Sequence, residues 1–310
     1  MLEGVDKGLR KLISSDRDLE SYERRGVEVH VRHIIAALSD KPAARDEFKM
    51  SDGVSFGFHE NALDPPEPFI SRRSSIRRGT SGAILATADK IPPRKLSVEN
   101  SRSGLRPMDL WNEVEVSDSV PTHEPEKLRY NATRLTGSAL LEEFHVMIQE
   151  GLEYSYITNG LAVVLLRVPY NDPTTLHYHL CEPNMEANPE DDQSFQQPVT
   201  SIARVLCLCL MSFRSRLRDQ EWRNNARSLL PEWKSSFDHE RFKIPEEELR
   251  QVPPDAQYTP SVSLSSDRTV SECTPTRRTG SGHVPTIKTN ITKHRFVPRS
   301  VYLACNTGAR

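Results

Sequence analysis

The longest hydrophobic signal in the chain lies between residues 135 and 181, where a helical pattern gives way to apolar, β-rich runs. Leu141, Phe144, Ile148 and Leu152 recur at helical spacing, whereas Leu161 to Val168 is an almost unbroken aliphatic run closed by Pro169. Beyond it, Leu176-His177-Tyr178-His179-Leu180 alternates with the period of a strand. This block must be core. Upstream, a polar helix over Asp6–Arg24 is expected to break at Gly26. A second helical pattern, Val27 to Phe48, puts Val31, Ile34, Ile35, Leu38 and Phe48 on one face, with Pro42 dividing it. Glycines and prolines punctuate Ser51–Arg78, which reads as loop with at most a weak strand. Ala83–Thr87 is a short strand, Pro92-Pro93 stops it, and Pro107 supplies the fixed φ of a helix start.

Downstream, Pro198 to Phe213 is apolar nearly all round, which predicts a helix buried on most sides. Gln220–Trp233 is a further helix with Trp222, Ala226, Leu229, Leu230 and Trp233 on its apolar side. After about Ile244 the chain turns to Pro, Ser, Thr and charge. The element order is helix, short strands, helix, two strands, helix, helix, which is an α/β or α+β layering. The expected organisation is a polar flank over residues 1–24, one domain over 25–244 and a disordered tail over 245–310.

Composition supports that division. Of 310 residues 36% are hydrophobic, and adding the 14 glycines gives about 40%, below the roughly 45–50% of globular chains. Part of the chain therefore does not pack. A formal net charge of −2 excludes a strongly basic protein, so contact with nucleic acid would have to come from local patches. No basic start followed by an apolar segment opens the chain, and no run approaches the roughly 20 apolar residues that cross a bilayer. The expectation is a soluble intracellular protein of nucleus or cytoplasm, without a membrane partner. Cys181, Cys207, Cys209, Cys273 and Cys305 are odd in number and irregular in spacing, and read as reduced thiols.

Several segments carry a resemblance. VEVHVRHIIAAL, ARDEFKMSDGVSFGFHENAL, RKLSVENSRSGLRPMDLWNEV, the run from Tyr130 to Tyr170, the run from Leu176 to Asn224, and IPEEELRQ are similar to a large group of uncharacterised filamentous-fungal proteins. The likeness covers about Arg25 to Val252. That group resembles the PD-(D/E)XK nuclease fold, also called restriction-endonuclease-like. The resemblance implies a small mixed sheet flanked by helices, with an Asp at the start of one strand and Glu-x-Lys on the next.

In such a motif two carboxylates hold Mg²⁺ while leaving waters in its octahedron, and a lysine orients the attacking water. The group's pattern V-E-Y-K-P-P-H-K-L falls here on Ala88-Asp89-Lys90-Ile91-Pro92-Pro93-Arg94-Lys95-Leu96. Asp89 stands for the Glu and Ile91 for the Lys. The group's R-R-P-D plus aromatic falls on Arg72-Arg73-Ser74-Ser75-Ile76, which leaves Ser75 in place of the first carboxylate. Losing a carboxylate and the lysine removes both the metal's charge balance and the positioned cation. Lys90 is one residue displaced, so a strand sends it to the opposite face from Asp89. The implied reading is a catalytically degenerate nuclease-fold protein that binds a protein or nucleic-acid partner. One alternative is an active Mg²⁺-dependent nuclease using Asp89, with Lys90 and Glu47 of the first core helix; another is a decaying mobile-element-associated copy without activity. Only the nuclease alternative calls for a cofactor, Mg²⁺.

Other chemistry has a plainer counterpart. Arg72, Arg73, Arg77, Arg78, Arg94 and Lys95, with Arg214, Arg216, Arg218 and Arg223, would line a phosphate-binding groove or be scattered over a solvated surface. His177 and His179 share one strand face and would chelate a metal or face solvent. His145 among Glu142, Glu143 and Glu150 suggests a surface ion-pair network. Glu190-Asp191-Asp192 lacks the Gly and distal Glu of an EF-hand and reads as a solvated loop.

Overall fold

In the computed structural model, residues 13, 15–50, 53–58, 73–79, 81–116, 120–187, 197–216, 218–233, 236–259 and 290–293 are described. The first helix, α1 (Asp16–Glu23), begins at Ser15, whose Oγ accepts from the Asp18 amide at 3.1 Å. The expected break at Gly26 does not occur. Arg24–Glu28 forms a π-helical turn that runs directly into α2 (Val29–Ser39). A widened turn keeps the chain helical while shifting which side chains face inward, so Val27 and Glu28 are both buried. Pro42 does divide the next pattern, starting α3 (Pro42–Phe48) at its first turn.

The segment expected to be mostly loop supplies two strands, β1 (Val54–Phe58) and β2 (Arg73–Arg78). With β3 (Ile84–Lys90) they make an antiparallel meander in which Ser75 lies opposite Thr87 and Arg73 opposite Asp89. After Pro92-Pro93 come α4 (Val98–Gly104), the two-residue β4 (Met108–Asp109) and a π-helical turn at Trp111–Glu115, where a regular helix starting from Pro107 was expected. The long α5 (Glu124–Glu150) then crosses the sheet. It ends at Gly151, whose φ of 70° is the left-handed cap that glycine adopts freely.

That crossover returns the chain as β5 (Tyr154–Thr158), parallel to β3, followed by the antiparallel β6 (Val163–Arg167) and β7 (Thr175–Cys181). The remaining helices are α6 (Pro183–Glu186), α7 (Ser201–Phe213), α8 (Gln220–Ser228), α9 (Phe237–Phe242) and α10 (Glu246–Leu249). Six strands form the body of a mixed sheet, and β8 (Asn290–Lys293) with β4 extends it to the order β1-β2-β3-β5-β6-β7-β8-β4. Strand β6 reads as an almost unbroken apolar run because both of its faces are covered. Tyr156, Leu165, Ala86 and Ala88 meet α2 and α7, whereas Ile157, Val164, Leu166 and Ile91 meet α5.

The tail expected from residue 245 is ordered as far as 259. Lys127 and Asn131 of α5 bond the Glu248 carboxylate, Ser103 donates to the Pro254 carbonyl at 3.1 Å, and Arg102 donates to the Ala256 carbonyl at 3.1 Å. Polar contacts to α4 and α5 order a segment whose composition offers little apolar surface. Most of the remaining tail lies outside the described residues.

Candidate functional site

The period-two geometry of β2, β3 and β5 gathers one polar cluster on the α5 face. Arg73 and Ser75 project from β2, Thr87 and Asp89 from β3, and Ser155 from β5, while α5 brings Glu142 and Glu143 down onto them. Ser75, Thr87, Asp89, Glu143 and Ser155 are all fully buried. Such groups are tolerable only if their hydrogen-bonding capacity is met.

Glu143 shows how. Its Oε1 accepts from the hydroxyls of Thr87 and Ser155, and its Oε2 accepts from Arg73 Nε at 3.0 Å. Ser155 Oγ also lies 2.8 Å from the Thr87 carbonyl. The Arg73 guanidinium continues to Asp89 Oδ2 and Glu142 Oε2, each at 3.6 Å. Glu142 in turn accepts from the Phe237 amide at 2.7 Å, tying the cluster to α9. Three carboxylates thus converge on one guanidinium. Ser75 accepts from Arg77 Nε at 3.1 Å. Ile91 is fully buried in the apolar core beside α5 and offers no polar atom.

The cluster does not fit a hydrated Mg²⁺. The Glu143 carboxylate already accepts from three donors, Ser75 beside it is neutral, and the Arg73 guanidinium already lies between Asp89 and Glu143. Among the described residues no group of three or more His, Cys, Asp or Glu is placed to hold a metal ion.

The other expected site residues are dispersed. Lys90 points to the far face of the sheet and donates to Glu28 Oε1 at 2.7 Å. Glu47 sits on α3, exposed, in an ion pair with Arg214 at 3.0 Å, and α3 packs on the face away from Asp89. The cations named for a phosphate groove are engaged within the molecule. Arg77 donates to Ser75 and the Gly82 carbonyl, and Arg78 donates to the Phe213 carbonyl and covers its ring at 5.1 Å. Arg94 and Lys95 both pair with Asp16, at 2.8 and 3.2 Å, and so fasten α1. Arg216 stacks on Tyr170 at 3.9 Å, Arg218 donates to the Leu152 and Val168 carbonyls, and Arg223 donates to the Gln149 carbonyl. Arg72 and Glu190-Asp191-Asp192 lie outside the described residues.

His177 and His179 share one face of β7, opposite Arg167 and Leu165. His145 contacts Gln149, one turn on along α5. Glu142 and Glu143 were expected in a surface network around that histidine; they turn inward to Arg73 instead. Cys181, Cys207 and Cys209 are free thiols, and burial pushes Cys181 and Cys209 up to about 12. Cys273 and Cys305 lie outside the described residues. Sequence reasoning missed Arg73 and Glu143 as partners, because their contact spans 70 positions.

The fold and site define a mixed α/β domain whose buried polar centre is a carboxylate–guanidinium cluster. A family model described as the Spore killer 2 N-terminal domain matches residues 73–229, from Arg73 on β2 to the end of α8. That is half of the chain, and the chain belongs to this family. It is similar to the meiotic driver SPOK2 of Podospora anserina, with 29% identity over 151 residues, 46% of this chain and 20% of the relative. The chain therefore corresponds to about a fifth of that relative's length. No solved structure matches the chain.

Proposed function

We propose that the chain is a catalytically degenerate nuclease-type scaffold that serves as a metal-independent binding module. The observation that carries this reading is Arg73, which sits between Asp89, Glu142 and Glu143 where a nuclease would keep a hydrated cation. The order of elements supports it. An antiparallel β1–β3 meander, a long crossover helix and a β5 parallel to β3 are what a restriction-endonuclease-like core requires, and the sequence resemblance puts Ser75, Asp89 and Ile91 at its catalytic positions. The description of the matching family extends the proposal to biology: the module works within a spore-killing system, by recognition rather than strand scission.

A protein is the favoured partner. Among the described residues, the cations that would meet a phosphate backbone are held by the molecule's own carboxylates, carbonyls and rings, and the net charge of −2 supplies no attractive field. Purified chain with Mg²⁺ or Mn²⁺ and mixed DNA and RNA tests the reading. The expected result is no cleavage and no salt-dependent affinity for any nucleic acid. Cleavage that disappears in Asp89→Ala would establish the active nuclease instead; salt-dependent affinity without cleavage would make nucleic acid the partner.

A further inference from the structure

The face of the sheet opposite Arg73 carries a second buried charged group, which the proposed function does not use. Glu23 on α1 and Glu28 in the π-helical turn are 2% and 6% exposed, and Lys90 on β3 is 5% exposed. Lys90 donates to Glu28 Oε1 at 2.7 Å, and Thr158 on β5 donates to Glu23 Oε1 at 3.0 Å. Tyr156, two residues before Thr158, is fully buried, and its hydroxyl has no hydrogen-bond partner among the described residues. Tyr22 on α1 and Cys209 on α7 also face this space, and Arg24 and Arg32 line the pocket onto which Glu28 opens.

Two almost wholly buried carboxylates share one buried ammonium. Ionising both leaves the three buried groups with a net negative charge, whereas ionised Glu28, protonated Lys90 and neutral Glu23 balance. We propose that Glu23 is a proton-dependent latch, which when neutral docks the N-terminal helix α1 on the sheet and when ionised loosens it. Burial raises the Glu23 carboxyl to about 7; Thr158 and Lys90 act against that shift, and Glu28 adds to it. Asp16 with Arg94 and Lys95, and Leu19 packed at Gly160, keep α1 attached in both states, so the latch tunes docking rather than abolishing it.

The direction follows from linkage. A carboxyl raised in the docked state binds a proton more tightly there than when α1 is loose. Docking is therefore firmest below the ordinary carboxyl range near 4.5, weakens as pH rises towards 7 and is level above that.

Hydrogen–deuterium exchange of the full chain, corrected for intrinsic rates, tests this with α5 as internal reference. Between pH 5 and 7.5, protection over residues 16–28 is expected to fall by up to about 50-fold while α5 stays constant. Glu23→Gln, a neutral isostere, should hold 16–28 at its acid level at both pH values. Glu28→Gln should move the transition to lower pH, because Lys90 then serves Glu23 alone. Flat wild-type protection over 16–28, or an unchanged slope in Glu23→Gln, overturns the latch; the wild-type profile decides even if a variant fails to fold.

Discussion

Arg73 is the residue on which the buried centre depends. Removing it leaves Asp89 and Glu143 without their cation, in a site where neither is exposed. Arg73→Ala is expected to cost about 3–5 kcal/mol, read as a lowered urea midpoint at unchanged slope. Arg73→Lys should recover little of that, since a single ammonium does not span three carboxylates as a planar fork does. Part of this was legible beforehand. The period of two places Lys90 and Asp89 on opposite faces, and they are. The partner of Arg73 was not, because strand periodicity gives a face but no rule links β2 to a helix 70 positions away.

Among elements, α5 does the most joining: it brings Glu142 and Glu143 to the sheet, Arg134 to α9, and Lys127 with Asn131 to α10. Arg134 and Lys243 both donate to the buried Glu240 carboxylate, at 2.8 and 2.7 Å. Burial alone would raise that carboxyl, but these hydrogen bonds and charges outweigh it and hold it below its ordinary 4.5. A depressed carboxyl stabilises the fold above the unfolded value and loses that contribution as pH falls through the folded one. Glu240→Gln should thus be less stable than wild type at pH 7, with the difference shrinking below about pH 4.5 in urea titrations. At the other end of the molecule, the β5–β6 turn sets how α1 lies. Gly160 has φ of 83°, and a Cβ there would come within 2.6 Å of Ile13 and 3.0 Å of Leu19. Gly160→Val is expected to raise exchange over 16–28 at every pH, which separates steric undocking from the proton latch. The α1–α2 continuity is not legible in the sequence because glycine ordinarily interrupts a helical pattern, whereas the π-helical turn accommodates Gly26 inside the helix.

At the scale of the whole molecule, the part that matches the family model is smaller than the part that folds together. Residues 73–229 hold the sheet centre and α5, but one face of that sheet is closed by Val27, Val31, Ile35 and Phe48, and the far side of α5 by Phe237 and Ile244. Composition put the domain's end at 244 because the next residues offer few apolar side chains. What holds them is polar and long-range: Glu248 on Lys127 and Asn131, Asp255 on Arg129 at 2.6 Å, and the Pro254 and Ala256 carbonyls on Ser103 and Arg102. Truncation separates the two boundaries. A chain ending at 259 keeps all of these contacts. One ending at 244 strips Arg102 and Ser103 of those acceptors, uncovers the α4–α5 surface and is expected to melt about 5 °C lower by calorimetry. Equal melting of the two would mean that 245–259 rests on the domain without stabilising it, and would return the boundary to where composition placed it.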